Sequence, residues 1–187
     1  MIQLNHRSRS RPGGKVRQIW VAAQPGRPDR GIAAAGPLRL VVALGRSGIR
    51  ADKREGDGAT PRGSFRPVRV WWRADRGPRP RTGLPVRRID PADAWCEDPA
   101  DRRYNRPFRR RCGEAGDRLW RDDRLYDLII ELDHNTRPRV AGRGSAVFVH
   151  LARETFGPTA GCVGFDPAAL RRLVALIGPD TRIVIGR

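Results

Sequence analysis

The stretch Ala146–Val163, AVFVHLARETFGPTAGCV, contains the residues around which the rest of the chain is organised. It begins with an apolar run that ends at His150, a pattern typical of a buried strand. A loop containing Gly157 and Pro158 follows, and Cys162 comes directly after a glycine. We expect the chain to turn in this loop and come back, so that His150 and Cys162 lie side by side.

A cysteine and a histidine placed together suggest nucleophilic catalysis. The thiolate is the reactive form of cysteine, and a nearby imidazole that takes the thiol proton generates it. With only these two residues as evidence, a purely structural role for each of them stays open. A lone cysteine in a β protein is often a small buried hydrophobic residue, and a histidine at a strand end is often a core residue whose hydrogen bonds are satisfied.

A second motif, Thr60-Pro61-Arg62-Gly63-Ser64-Phe65, lies well upstream. Pro61 fixes φ and Gly63 permits a positive φ, which predicts a turn leading into a strand at Phe65–Trp72. An ordinary β-turn explains these residues equally well.

Together the two motifs resemble the L,D-transpeptidase catalytic domain, the YkuD-like family. Its signature is a strand-end histidine followed by Ser/Thr-x-Gly-Cys-Val/Ile, which His150 and Thr159–Val163 match, and Thr60–Phe65 fits its Thr-Pro-x-Gly-x-Phe turn. Two positions depart from the commonest pattern. Leu151-Ala152 follows the histidine where Gly-Thr or a serine is usual, and Gly164 stands where Arg or Asn is frequent.

The resemblance implies a mainly β fold, a β-sandwich of two packed sheets with one helix after the catalytic cysteine. It also implies acyl transfer on peptidoglycan stem peptides: Cys162 attacks a peptide carbonyl, His150 moves the proton, and a second amine resolves the thioester. The backbone N–H groups of Gly161 and Cys162 are the candidate oxyanion donors. No metal or organic cofactor is implied. Hydrolysis by water, or a non-catalytic basic envelope-binding domain, are the alternatives.

Residues 73–124 form a long irregular segment, which in a compact domain is normally either disordered or functional. Its aromatic residues Trp95, Tyr104 and Trp120 favour order. We expect an insertion that covers the substrate, and its sequence resembles the proteobacterial branch that links L-Ala of one stem to the diaminopimelate of another, the 1,3 crosslink. The alternative is that the aromatic residues form a secondary core.

Seven residues are candidates for substrate binding. Arg106 lies between aromatic residues and a proline, so we expect it to be held still and to clamp a carboxylate through paired hydrogen bonds. His134 follows the strand Leu125–Leu132 and either approaches His150, contacts substrate or caps the strand. The full set is Trp95, Tyr104, Asn105, Arg106, His134, Arg153 and Thr159.

The composition predicts one domain at residues 15–187, preceded by a flexible basic tail at residues 1–14. The net charge of +18 favours anionic partners such as nucleic acid, acidic membrane or cell envelope. Only Lys15 and Lys53 are lysines, and the arginines are dispersed without a nucleic-acid-binding motif, so we expect no specific nucleic-acid function. We also expect a monomer without a transmembrane segment.

The three cysteines cannot all pair with one another. Cys96 and Cys112 either form a disulfide or remain free thiols, and both options leave Cys162 free. No CxxC or HxxxH spacing indicates a metal site. Residues 1–14 are basic and polar, unlike a secretory signal. This conflicts with the periplasm or cell-envelope location that the resemblance implies, so a missing leader, unconventional export or another location stay open.

Local patterns predict the remaining elements. Asp166 and Pro167 begin a helix that ends at Gly178-Pro179, with one apolar face of Leu170, Leu173, Val174 and Ile177 and with Arg171 and Arg172 in solvent. The strands predicted around it are Val16–Ala23, Leu38–Leu44 and Thr181–Ile185, with a turn at Gln24–Gly31 and with Leu125–Leu132 paired to Ala146–Leu151.

Overall fold

The computed structural model describes residues 15–186, and the tail predicted for residues 1–14 lies outside them. The described part contains fifteen strands and one helix. The first eight strands are β1 Gln18–Gln24, β2 Arg27–Ala35, β3 Leu38–Ala43, β4 Ile49–Arg50, β5 Thr60–Pro61, β6 Gly63–Phe65, β7 Pro67–Trp72 and β8 Val86–Arg88. The others are β9 Asp93–Trp95, β10 Pro107–Arg109, β11 Asp117–Arg118, β12 Leu128–Leu132, β13 Phe148–Leu151, β14 Val163–Phe165 and β15 Arg182–Ile185, with helix α1 at Pro167–Leu176.

Ten of these strands form one continuous sheet in the order β6-β15-β1-β2-β3-β14-β13-β12-β7-β8. Side chains from both halves of this sheet belong to one buried cluster, which includes Ile19 of β1, Val42 of β3, Val70 of β7 and Ile130 of β12. The sheet therefore folds over on itself around a shared core. The predicted mainly β sandwich with one helix is confirmed, with its two layers joined through the β3–β14 pair.

The turn predicted for Gln24–Gly31 was wrong. The chain turns only at residues 25 and 26, and β2 then pairs with both β1 and β3. The first four residues of β2 are exposed or half-buried, and alternating burial begins only at Gly31. The polar first half therefore lacked the apolar alternation by which a strand is recognised.

The connection from His150 to Cys162 also differs from the prediction. The chain does not come back antiparallel, because β13 and β14 pair in parallel, with Val149 opposite Val163 and His150 opposite Gly164. The reason is that β14 is inserted between β13 and β3, and it runs antiparallel to β3. The loop between β13 and β14 must therefore carry the chain back to the start of a parallel strand, and Cys162 lies at that start.

Helix α1 follows β14 directly and agrees with its sequence signals. The Asp166 carboxylate accepts hydrogen bonds from the N–H groups of Ala168 and Ala169, as an N-cap should. The predicted apolar face is fully buried, whereas Arg171 and Arg172 are exposed. The helix thereby packs on the sheet against β13, the strand that bears His150.

The insertion at residues 73–124 is ordered. Strand β8 joins the edge of the large sheet beside β7, and β9 lies between β10 and β11 in a separate three-stranded sheet. Trp95 and Leu119 pack with Trp71, Phe148 and other residues in a second buried cluster. The insertion therefore builds a secondary core, and Cys162 belongs to the same cluster.

Asn105 ties this insertion to the segments around Cys162. Its Nδ2 group donates to the carbonyls of His134 at 3.0 Å and Asn135 at 2.9 Å. Its Oδ1 accepts from the Trp95 indole N–H at 3.0 Å and the Ala146 N–H at 3.2 Å. All the hydrogen-bonding groups of the amide are used. The backbone φ of +54° is one that asparagine tolerates better than most residues.

We predict that Asn105→Ala lowers the free energy of unfolding by about 2 kcal/mol or more, because it leaves the buried Trp95 and Ala146 donors without their acceptor. Urea denaturation followed by tryptophan fluorescence measures the change. Arg106→Ala is the matched control, because Arg106 is the exposed neighbour of Asn105, and we expect a change within about 0.5 kcal/mol. Equal stability of the two variants would contradict a tying role for Asn105.

Candidate active site

A cavity of about 470 Å³ opens where β13 ends and β14 begins, and both Cys162 and His150 line it. The loop between these strands forms one side, and residues of the insertion and of the β4–β5 region form others. Besides the pair, the cavity is lined by residues that include Arg46, Lys53, Glu55, Glu97, Asp117, Arg121, Tyr126, Ser145, Arg153 and Thr159. A mixture of acidic and basic side chains thus surrounds one thiol and one imidazole.

The segment Thr159–Cys162 is fixed by short hydrogen bonds. The Thr159 hydroxyl accepts from the Gly161 N–H at 3.1 Å and donates to the Cys162 carbonyl at 2.7 Å. Gly161 has a φ of +146°, and a Cβ there would lie 2.7 Å from the Ala59 carbonyl oxygen. Only glycine can therefore occupy this position without moving the backbone.

The upstream motif meets the cysteine at the same place. The Thr60 hydroxyl accepts from the Gly45 N–H at 2.8 Å and lies 3.5 Å from the Cys162 carbonyl oxygen as a donor. The Thr159 N–H donates to the Leu44 carbonyl at 2.8 Å. The two sequence motifs are thus in direct contact and together position the cysteine.

The Cys162 thiol is 8% exposed and has two backbone partners. Its Sγ donates to the Ala146 carbonyl at 3.1 Å and accepts from the Phe148 N–H at 3.4 Å. Burial raises the pKa of the thiol to about 12, and the Phe148 N–H opposes that shift. The cysteine is consequently neutral at rest and needs a base to become nucleophilic.

His150 is 6% exposed, and its ring is oriented by its own strand. Its Nδ1 lies 2.7 Å from the Leu151 carbonyl oxygen. A carbonyl only accepts hydrogen bonds, so Nδ1 carries the proton and Nε2 holds the free lone pair. The edge of the Tyr126 ring packs against the imidazole, with the ring centroids 5.2 Å apart. Burial lowers the pKa of His150 to about 4, so the ring is neutral near pH 7.

No hydrogen bond among residues 15–186 joins the His150 ring to the Cys162 thiol, and the thiol hydrogen is donated to the Ala146 carbonyl. The two groups face the same cavity. Proton transfer between them requires the thiol hydrogen to turn from Ala146 toward Nε2. Catalytic hydrogen bonds are commonly formed only in the substrate complex.

Of the seven predicted substrate-binding residues, the structure places Thr159 and Arg153 on the cavity. Three others serve packing instead. Trp95 is buried against Phe148, the Asn105 amide is fully used, and the buried Tyr104 donates its hydroxyl hydrogen to Glu55. These interactions leave the three side chains no group to offer a substrate in this conformation.

Arg106 and His134 also lie away from the cavity. Arg106 is exposed because its neighbours Tyr104 and Asn105 point inward, and its guanidinium makes no ion pair among the described residues. The carboxylate clamp expected at Arg106 is therefore not formed within the protein and stays a prediction. His134 Nε2 lies 3.0 Å from the Arg143 carbonyl oxygen, and its ring packs on Phe65. These contacts agree with the capping alternative at the end of β12.

Sequence reasoning missed several charged residues of the cavity. Lys53 carried a signal, since it is one of only two lysines in an arginine-rich chain. It is buried and forms an ion pair with Asp57 at 2.6 Å. Glu97 and Asp117 come from the insertion, where many carboxylates look alike in sequence. Only the fold shows which of them face the cysteine.

The remaining cysteines are free thiols, with Cys96 buried and Cys112 exposed. Within residues 15–186 no group of histidine, cysteine and acidic residues is arranged to hold a metal ion. None of the helices in this range is long and apolar enough to cross a membrane.

Comparison with known proteins gives one match. The family model for the L,D-transpeptidase catalytic domain, YkuD, matches residues 24–185. Searches of curated proteins and of solved structures found no match. The matched range contains both motifs, the cavity and the whole insertion. The chain therefore belongs to the L,D-transpeptidase catalytic domain family.

Proposed function

We propose that this protein is a cysteine-dependent peptidoglycan L,D-transpeptidase that crosslinks stem peptides through a thioester acyl-enzyme. The observation that carries the proposal is a buried thiol and a neutral imidazole with a free Nε2, facing one cavity in a domain of this family. The cell envelope, as the site of the substrate, is the proposed location.

In the first half-reaction, the donor peptide enters the cavity and the Cys162 thiol turns toward His150. The imidazole Nε2 takes the thiol proton as sulfur attacks the scissile carbonyl, and it then returns that proton to the leaving amine. Desolvation opposes both the thiolate and the imidazolium, so the ion pair forms only transiently during attack. The product is a thioester on Cys162.

The tetrahedral intermediate requires donors for its oxyanion. Of the two predicted N–H groups, that of Gly161 is bonded to the Thr159 hydroxyl. The Cys162 N–H is therefore the stronger of the two candidates. The role we assign to Thr159 is to hold the Gly161–Cys162 backbone in place.

The acyl-enzyme is resolved by the amine of a second stem peptide, which restores the free thiol. We propose the 1,3 type, in which L-Ala of one stem is joined to the diaminopimelate of another. The insertion that resembles this branch supports the choice, since it supplies Glu97, Asp117 and Arg121 to the cavity. Mass analysis of the products from purified muropeptides identifies the bond formed.

We predict that Cys162→Ser abolishes crosslinked product and that His150→Ala lowers its rate by about 10²–10⁴, the range for a positioned proton-transfer group. Muropeptide products and covalent labelling by a carbapenem-type acylator measure the two activities. Cys96→Ser and Cys112→Ser are matched controls that should retain most activity. Labelling of the Cys162→Ser variant at the wild-type rate would contradict the proposed nucleophile, and absence of labelling in the wild type would favour a binding domain.

As the pH is lowered, the rate of acylation should begin to fall at a lower pH than it would if the base were a histidine of ordinary pKa. The base is available while His150 is neutral, and its pKa of about 4 means that it is protonated only as the pH falls through that value. We therefore expect an acid limb near pH 4 rather than near 6.5 in single-turnover acylation. Circular dichroism at each pH confirms that the protein is folded. A limb near 6.5 would show that the imidazole is solvated in the complex.

A further inference from the structure

Three carboxylates, Glu55, Glu97 and Asp117, line the cavity together with Cys162. We call them the acidic wall. They come from separate segments, since Glu55 precedes β5, Glu97 follows β9 and Asp117 begins β11. The same cavity is lined by the cations Arg46, Lys53, Arg121 and Arg153, so the acidic wall is a local grouping within a cavity of mixed charge. Such a grouping suits a cationic ligand.

Two of these carboxylates are not neutralised by the protein. Neither Glu55 nor Glu97 takes part in an ion pair among the described residues, although arginines are abundant, and Glu55 accepts a hydrogen bond from the Tyr104 hydroxyl. Asp117 accepts from the Tyr126 hydroxyl at 2.7 Å and lies 3.4 Å from Arg121. Of the other cations that line the cavity, Lys53 is paired with Asp57, and neither Arg46 nor Arg153 forms an ion pair with the acidic wall among the described residues.

A second observation points to a ligand at the same place. The Ser145 side chain is 8% exposed and lines the cavity, and its Oγ lies near the Tyr104 hydroxyl but forms no hydrogen bond of good geometry within the described part of the chain. Ser145 is next to Ala146, whose carbonyl accepts the Cys162 thiol hydrogen. A buried hydroxyl without a partner is costly unless a ligand satisfies it.

The electrostatics of Glu97 agree with this geometry. Glu97 is exposed, but the protein around its carboxylate displaces part of the surrounding water and raises its pKa to about 7. The charges of Asp117 and Glu55 add to the increase, and Arg121 opposes it. A bound cation would relieve this repulsion, and a carboxylate of this basicity is suited to accept a proton near neutral pH.

We propose that the acidic wall and Ser145 bind the ammonium group of the acceptor stem peptide, and that Glu97 takes the proton that the amine must lose before it attacks. This inference rests on the proposed transpeptidase function and deepens it. What it adds is the place of the acceptor amine, on the side of Cys162 that the insertion forms.

The Glu97 carboxylate takes one proton from the ammonium, and the free amine attacks the thioester carbonyl, so that a C–N bond forms. His150 Nε2 takes a second proton from this nitrogen and gives it to Cys162 Sγ as the C–S bond breaks. The products are an amide, a neutral thiol and a protonated Glu97, which releases its proton to solvent.

The test separates the two half-reactions. Acylation is followed with the carbapenem-type acylator, and transfer is followed with purified muropeptides as donor and a stem tripeptide ending in diaminopimelate as acceptor. For Glu97→Gln we expect a crosslink-to-hydrolysis ratio lower by about 10²-fold or more and a raised KM for the acceptor, with a much smaller change in acylation, because the Glu97 charge acts on the thiol only by raising its pKa. Glu154→Gln is the matched control, since Glu154 is exposed and does not line this cavity. Glu97→Asp should restore part of the transfer.

The pH profile of transfer gives an independent readout. In the wild type, transfer should decline as the pH falls through about 7, where Glu97 becomes protonated, and should level off above it. In Glu97→Gln it should keep rising toward the pKa of the free amine, near 10.4 for a lysine-like group. An unchanged ratio and profile in Glu97→Gln, with normal acylation, would overturn this inference alone. Failure of the wild type to acylate would overturn the proposed function with it.

Discussion

The close approach of Gly161 to the Ala59 carbonyl is the constraint on which the candidate site depends. A side chain at position 161 would collide with that oxygen, so the loop before β14 can pack against the β4–β5 region only through glycine. This contact brings the Thr60 hydroxyl near the Cys162 carbonyl. It also explains why two motifs far apart in sequence occur together, because each forms one side of the same junction.

Burial then decides the chemistry available at this junction. Desolvation favours the neutral forms of the thiol and of the imidazole, so the pair stays uncharged until a substrate arrives. The nucleophilic role that we propose for the thiol therefore needs a base with a fixed lone pair. The hydrogen bond from Nδ1 to the Leu151 carbonyl fixes that lone pair on Nε2.

Local signals predicted the elements that depend on neighbours in sequence. The helix was predicted correctly because its cap, its proline and its apolar face all lie between residues 166 and 177. The parallel pairing of β13 with β14 could not be predicted in this way, since β3 occupies the other edge of β14. The same limit applies at Arg106. The spacing of aromatic residues showed that the segment is held still, but not that Arg106 faces solvent whereas Arg121 faces the cavity.

The insertion shows why stability and activity are coupled in this domain. Trp95 is anchored in the second core, and the next residue exchanges backbone hydrogen bonds with the β10 side of the insertion, from the Cys96 N–H to the Arg106 carbonyl and from the Asn105 N–H to the Cys96 carbonyl. Glu97 follows directly in the chain, so the hydrogen bonds of Cys96 also fix the position of the Glu97 backbone. Asn105 connects the same unit to Ala146, whose carbonyl accepts the Cys162 thiol hydrogen. A change that loosens the second core therefore displaces the carboxylate and the nucleophile together, because one set of hydrogen bonds positions both.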